Sequence, residues 1–266
     1  MSTTTQTPTR TRTAAAVPIP LARLVKVELR KSFDTTAGLW LLASIGLLSL
    51  LTTGAVIAWS SAGEQTYQTF TLAIGRPLSI VLPIIATLTV TSEWSQRSGL
   101  TTFSLVPHRR RVVLAKALAL ALVAAPSMLL AFGVGALGHL VGTAIRGTEP
   151  VWNLTWASVG QFALGNVLGV LVGFTLGLLV RSTAAALASY FVITFVAPPL
   201  LMLLATSQAW FHDLHPWVDP TVPQNALFGP AALGSDQWQQ LAVTSIVWLA
   251  LPLAWGLARL VRAEVK

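Results

Sequence analysis

Two short stretches of this sequence concentrate the residues that could take part in chemistry or in polar binding. The first is Glu93–Lys116, with the sequence EWSQRSGLTTFSLVPHRRRVVLAK. The second holds His212 and His215 with Asp213 and Asp219, and imidazoles and carboxylates are the side chains that ligate zinc. The many aromatic residues around this second stretch suit equally well a cap that is seated at a membrane interface.

The motifs of several large enzyme classes are missing from the sequence. The chain has no cysteine, which excludes disulfides, thiolate metal sites and cysteine nucleophiles. No lysine follows a glycine, so the phosphate-binding loop GxxxxGK[ST] is absent, and neither HExxH nor a Ser–His–acid elbow occurs. Two histidines three residues apart do not by themselves specify a metal site. The sequence therefore predicts a protein that is not an enzyme and that holds no cofactor or metal of its own.

In the first stretch, acidic, apolar, proline and basic residues follow one another in an order that a solvated loop does not require. Glu93 and Arg97 are four residues apart, which suits an ion pair on a short helix. Leu100 and Phe103 share a face of this turn, and Pro107 ends it because the proline ring cannot continue a helix. Basic residues then lead into the next apolar run, namely Arg109, Arg110, Arg111 and Lys116. A positively charged loop would account for the arginines alone, whereas the whole order predicts a docking helix that pushes on a partner.

The composition is that of a membrane protein. Hydrophobic residues make up 54% of the 266 residues and charged residues 10%, with a mean hydropathy of +0.69. Soluble domains carry about 25% charged residues. Residues 1–20 are rich in Thr, Pro and Ala and lack the apolar core of a signal peptide, so we expect a disordered tail. Residues 21–266 should then form a single all-α, polytopic transmembrane domain.

Six apolar runs are long enough to cross a membrane, which takes about 20 helical residues. We expect spans near 39–59, 77–92, 114–142, 159–180, 184–206 and 238–258, and the second is short unless it begins before Pro77. The third contains Pro126 and should bend there. The fifth carries Pro198 and Pro199, so its outer half is not expected to be a regular helix. Residues 181–183 alone connect the fourth and fifth spans, which predicts a tight cytoplasmic hairpin.

The distribution of charge predicts the orientation of these spans. With the N-terminus in the cytoplasm, 15 of the 17 basic residues fall on the cytoplasmic side, and only Arg76 and Arg146 fall outside. The nine acidic residues divide without bias, four inside and five outside. The net charge of +8 therefore reports the topology and not a nucleic-acid surface. We expect a multi-pass protein of the cell membrane with both termini in the cytoplasm.

Residues 21–34, LARLVKVELRKSFD, have the spacing of an amphipathic helix. The apolar side chains Leu21, Leu24, Val25 and Leu29 fall on one side. The basic side chains fall mostly on the other, namely Arg23, Lys26, Arg30 and Lys31. This pattern predicts a helix in the membrane interface whose cations face anionic lipid headgroups, and the alternative is an ordinary basic segment beside the membrane. Glu28 lies within the apolar arc, where lipid contact does not explain it.

Two further patterns concern packing. Gly165, Gly169, Gly173 and Gly177 recur every four residues, which lets a neighbouring backbone approach one face of the fourth span. This face suits either sliding and dimer formation or tight packing within one subunit. The segment 207–237 is rich in Trp, Pro and His, and we expect it to lie at the membrane interface or to re-enter the membrane.

In this order of features the sequence resembles the permease subunits of ABC exporters, in the type-two family that exports drugs and polysaccharides. The likeness covers the chain from about residue 21 to its end. It is carried by the basic amphipathic helix, the first span, the second span with Glu93, the turn GLTTFSLVP and the arginines before the third span. Val27–Leu42, VELRKSFDTTAGLWLL, is also similar to the connecting helix that runs into the first span of that family. The triplet at 109–111 is more basic than the family pattern, which has one or two basic residues there.

The resemblance implies a six-span permease that pairs with a second permease subunit, identical or different. It also implies separate ATPase subunits, in two copies, which bind ATP and Mg²⁺ and attach at the cytoplasmic face. Residues 93–107 would be the coupling helix, with Leu100 and Phe103 as its anchors and Glu93 and Arg97 fixing its orientation. Short re-entrant helices would occupy 198–234. The solute would be amphipathic or hydrophobic, such as a drug, a lipid-like molecule or an antibiotic.

Three other classes of protein remain as alternatives. An ion-coupled carrier usually needs ionisable residues inside the membrane. The predicted apolar segments hold almost none, and His139 is the exception. A membrane scaffold or immunity protein would bind another membrane protein without transport. A membrane-embedded enzyme would need a catalytic cluster that the sequence lacks.

Overall fold

The computed structural model describes residues 19–95 and 109–262, and every regular element in these two ranges is helical. The long helices are α1 Leu21–Asp34, α2 Thr36–Trp59, α3 Tyr67–Ser95, α4 Arg109–Arg146, α5 Trp156–Val180 and α6 Thr183–Ser207. Short helices follow at α7 Ala209–His212, α8 His215–Val218 and α9 Thr221–Ala226. The last helix, α10, passes through Ser235–Ser245, Ile246–Ala250 and Leu251–Arg262.

The six predicted spans are confirmed as helices of sufficient length and apolarity, at Gly38–Trp59, Tyr67–Ser92, Arg110–Arg146, Trp156–Val180, Thr183–Ser207 and Ser235–Arg259. The chain is therefore a multi-pass membrane protein. Of the two possibilities for the second span, the structure shows the longer one, because the helix begins at Tyr67 and continues through Pro77. Arg76 consequently lies inside a span and not in an outer loop. Packing by neighbouring helices stabilises α3 across the hydrogen bond that Pro77 cannot form.

The prediction that Pro198 and Pro199 break the fifth span was wrong. Residues Ala197–Ser207 form a regular α-helix that continues directly from the preceding turns of α6, so Pro198 and Pro199 do not interrupt the span. The irregularity falls one turn earlier, in a π-helical turn at Val192–Val196. A second π-helical turn, at Ile246–Ala250, precedes Pro252 in α10.

Helix α3 lies at the centre of the bundle and packs against α2, α4 and α5. In its most apolar stretch 56% of the residues are buried, compared with 11% in α2 and 6% in α6. These two outer helices therefore present most of their apolar side chains away from the rest of the chain. Hydrophobic surface of that kind is expected to contact lipid or another transmembrane subunit.

The glycine face of α5 packs against α3 of the same chain. A Cβ atom at Gly169 would lie 3.1 Å from Cγ of Pro83, and one at Gly177 would lie 2.8 Å from Cβ of Val90. At Gly173 an added Cβ would overlap the Pro83 carbonyl. At Gly165 it would lie 2.7 Å from the ring of Phe228. Between the two interpretations of this glycine pattern, these contacts support tight packing within one subunit.

The two ends of the bundle differ in character. We call the end that carries α1, residues 181–182 and the last turn of α10 the basic end. At this end only Arg181 and Ser182 separate α5 from α6, so the predicted tight hairpin is confirmed. Arg181 adopts the left-handed conformation at φ 54°, and its N–H bonds the Gly177 carbonyl at 3.3 Å, which closes the end of α5. Helices α7, α8 and α9 lie at the opposite end.

Candidate functional site at the basic end

The predicted docking helix lies almost wholly outside the residues that the structure describes. Arg97, Leu100, Phe103 and Pro107 belong to the undescribed segment 96–108, and Glu93 lies in the last turns of α3. Their role as a coupling element stays a prediction. What the structure does describe is the pair of helix ends, Ser95 and Arg109, between which this segment must run.

The basic face of α1 is largely exposed, as an interfacial helix requires. Arg23, Lys26 and Arg30 are exposed. Arg30 faces Asp34 at 3.9 Å, but both side chains are more than 70% exposed, so this ion pair contributes little to stability. Lys31 is 42% exposed and turns toward Glu28.

The structure explains why Glu28 lies within the apolar arc of α1: its carboxylate is buried and forms two ion pairs. Its carboxylate accepts a hydrogen bond from Nζ of Lys31 at 2.7 Å and another from Nζ of Lys116 in α4, also at 2.7 Å. Lys116 is only 4% exposed and donates a further bond to the Thr89 carbonyl of α3 at 3.0 Å. Lys116, predicted with 109–111 to mark the entry into the third span, is buried within that span and paired with Glu28.

The charge state of Glu28 follows from this arrangement. Burial by itself would raise the pKa of the Glu28 carboxyl, but the charges and hydrogen bonds of Lys116 and Lys31 outweigh burial and hold the pKa below its ordinary value. Glu28 is therefore ionised at neutral pH, and its pairing stabilises the fold in that form.

This direction predicts a pH dependence. The contribution of Glu28 to stability is complete above its ordinary pKa of 4.5 and is lost as the pH falls through the lower folded-state pKa. We expect the melting temperature of the native protein to fall toward that of Glu28→Gln as the pH drops below about 4.5. The difference between the two proteins, measured by thermal unfolding from pH 7 to pH 3, isolates this group from the other carboxylates. A constant difference across that range would contradict the assigned role.

At the basic end, α3 is bonded to three neighbouring helices. Thr89 accepts from Lys116 of α4, as described, and Thr91 shares a hydrogen bond of 2.9 Å between its Oγ1 and that of Thr183 in α6. Thr87 donates to the Gly173 carbonyl of α5 at 3.1 Å. The end of α3 that leads into 96–108 is thus tied to α1 through Lys116, and directly to α4, α5 and α6. A displacement of this end would act on all four helices.

Sequence reasoning identified the helices of this junction but missed the ion pair that joins them. Two features of the sequence could have indicated this ion pair: Glu28 is a single acid in the apolar face of a helix, and Lys116 is a single lysine in an apolar run. A buried charge needs a partner, so two unexplained opposite charges are candidates for each other.

In the second stretch, His215 and Asp219 are buried and serve a local structure, whereas His212 and Asp213 are exposed. His215 Nε2 lies 3.3 Å from Oδ2 of Asp219, and Oδ1 of Asp219 accepts hydrogen bonds from the backbone N–H and the hydroxyl of Thr221 at 2.8 and 2.7 Å. This pair holds the start of α9. Within residues 19–95 and 109–262, no three His, Asp or Glu side chains come together as a metal site would need.

Comparisons with known proteins do not assign the chain to a family. No protein-family model matches the sequence, and no curated protein matches it.

Proposed function

We propose that this chain is the transmembrane permease subunit of an ATP-driven ABC exporter, moved by separate ATPase subunits that bind at 93–107. The observation that carries the proposal is the junction that α3 forms at the basic end. The segment that would receive the ATPase continues directly from a helix end that is tied to α1, α4, α5 and α6.

In this proposal the ATPase supplies the energy and this chain converts it into helix movement. ATP and Mg²⁺ bind on the partner, and closure of two ATPase copies pushes on 96–108. The rigid connection through Thr89, Lys116 and Glu28 carries the push to α1 at the membrane surface. The hydrogen bonds from Thr87 and Thr91 carry it to α5 and α6. The basic end would face the cytoplasm of the cell, as the charge distribution predicts.

The exposed apolar faces of α2 and α6 support the proposal of a second permease subunit. Their low burial leaves room for a second permease subunit, the same chain or a related one, beside lipid. Movement of α6 against that subunit would open a path for an amphipathic or hydrophobic solute.

The test is the association with the ATPase. Replacing Leu100 and Phe103 together by Asp should reduce co-purification of an ABC ATPase subunit at least tenfold, because charged side chains do not fit an apolar groove (on the order of 2–3 kcal/mol for each buried anchor). The measurement is affinity purification of the tagged chain from native membranes, with mass spectrometry of its partners. Membrane insertion should be unchanged.

The matched control places the same charges on the opposite face of the predicted helix, as Ser98→Asp with Thr102→Asp. This control should retain the ATPase. If the native chain brings down no ATPase, or the Leu100/Phe103 variant retains it fully, the exporter proposal fails. Transport by vesicles without nucleotide would then favour an ion-coupled carrier, and binding of another membrane protein without transport would favour a scaffold or immunity protein.

A further inference from the structure

A cavity of about 550 Å³ lies away from the basic end, between α3, α5, α6, α9 and α10. Its volume is within the range of roughly 300–1,000 Å³ that is typical of sites for small organic ligands. Much of its wall is apolar, formed by side chains such as Ile80, Val172, Leu176, Ile193, Phe195 and Trp248. An apolar molecule of moderate size would fit this space.

One fixed positive charge lies in the wall. Arg76 is nine residues after Tyr67, the start of the second span, so it lies about 14 Å along the helix at 1.5 Å per residue. Its Nη1 donates to Oδ1 of Asn225 at 3.0 Å, and its guanidinium carbon lies 5.8 Å from the centre of the Phe228 ring.

These partners of Arg76 are neutral. In the described ranges, no carboxylate oxygen comes within 4.0 Å of its guanidinium. A charged residue inside a membrane span is costly unless it is paired or functional. A guanidinium also has several donors, of which one reaches Asn225, so an incoming carboxylate or phosphate could bind it in a bidentate manner.

The backbone around the cavity is irregular on three sides. Two π-helical turns contribute to its wall, at Val192–Val196 and Ile246–Ala250, and such turns often occur at functional sites. On α3, Pro83 has no N–H to bond the Ser79 carbonyl, and the hydroxyl of Tyr190 lies 3.4 Å from that oxygen instead. Thr194 and Ser245 also line the cavity. Polar groups therefore converge on an otherwise apolar space.

We propose that this cavity binds an amphiphilic anion, whose carboxylate or phosphate pairs with Arg76 and whose apolar chain lies along the wall formed by α5, α6 and α10. A cationic amphiphile would be repelled by Arg76, and a neutral one would lack the charged pair. If the chain is an exporter subunit, as proposed above, this anion is the class of solute that it moves, and only this part of the inference rests on the proposed function. Binding itself needs neither ATPase nor ATP.

The experiment uses the full-length chain in phosphatidylcholine nanodiscs and a photoreactive dodecanoate with a diazirine at the end of its chain. Mass spectrometry locates the label, and unlabelled amphiphiles compete for it. We expect labelling on α6 or α10, with competition by dodecanoate and by dodecyl phosphate. Dodecanol should compete at least about tenfold more weakly, which is the effect of losing one hydrogen bond to a charged group. Competition by dioctanoyl phosphatidate would identify a bilayer lipid as the source of the anion.

Two variants test the charge and the space separately. Arg76→Gln should lose the preference for dodecanoate over dodecanol, whereas Arg110→Gln, which removes an exposed charge from the basic end, should keep it. Thr194→Trp, which fills the cavity, should reduce labelling by every amphiphile. Equal competition by dodecanol and dodecanoate in the native chain would overturn the proposal without any variant, as would an unchanged preference in folded Arg76→Gln.

These outcomes are distinguishable from failure of the exporter proposal. A chain that binds the anion but brings down no ATPase keeps the site and loses the exporter. A chain that brings down the ATPase but shows no preference for an anion keeps the exporter and loses the site.

Discussion

Replacing Glu28 by Leu should destabilise the protein by about 3–5 kcal/mol, because it leaves the ammonium of Lys116 buried without its carboxylate. Both side chains of this pair are only 5–6% exposed, so water cannot substitute for the lost partner. The Thr89 carbonyl, which also accepts from this ammonium, is neutral and does not replace the charge of the carboxylate. The measurement is unfolding of the purified protein in mild detergent, followed by tryptophan fluorescence.

Two further variants distinguish the loss of this ion pair from a general destabilisation by mutation. The double variant Glu28→Leu with Lys116→Met should recover most of the lost stability, because removing both charges also removes the cost of burying them. Asp34→Asn breaks the exposed pair with Arg30 on the same helix and should change stability by no more than about 1 kcal/mol. If Glu28→Leu unfolds no more easily than Asp34→Asn, Glu28 and Lys116 do not form the junction described above.

Gly173→Ala should separate α5 from α3 and destabilise the bundle by about 1–3 kcal/mol or more. The added Cβ would overlap the backbone carbonyl of Pro83, and a backbone atom cannot rotate away as a side chain can. The Pro83 carbonyl also accepts the Thr87 hydroxyl at 2.9 Å, so a shift of α3 would disturb a second bond. Thermal unfolding in detergent provides the measurement.

The matched control lies on the same helix. A Cβ at Gly160 would meet no atom within 4 Å, so Gly160→Ala should be neutral or should stabilise α5 by up to about 1 kcal/mol through its higher helix propensity. A Gly173→Ala protein as stable as Gly160→Ala would mean that the close approach of α5 to Pro83 is not required.

Both effects bear on the proposed mechanism, because they act on different connections of the same helix end. The pair Glu28–Lys116 joins α3 and α4 to the surface helix, and the contact at Gly173 joins α3 to α5. In the exporter proposal, weakening either connection in a protein that still folds should uncouple ATP hydrolysis from helix movement. The rate of hydrolysis by the bound ATPase, with and without a transported solute, would report this uncoupling.

The sequence alone determined the helical class, the number of spans and the amphipathic α1. A backbone inside hydrocarbon must satisfy its own hydrogen bonds, so long apolar runs become helices whatever their neighbours are. It also predicted the tight connection at 181–183, since so few residues allow only a hairpin. The docking helix at 93–107 and the orientation in the membrane remain predictions from that same sequence.

The tertiary structure decided which residues meet. Local rules left the start of the second span open at Pro77 and predicted an irregular helix from Pro198, but packing around α3 and a π-helical turn in α6 accommodate these prolines. The spacing of the glycines specified a face of α5, and only the fold shows that this face receives α3. Glu28 and Lys116 are 88 residues apart, and nothing local connects them. A charge pattern shows that a buried ion needs a partner, but which partner it finds depends on how the helices pack, because the energy of the pair exists only at contact distance.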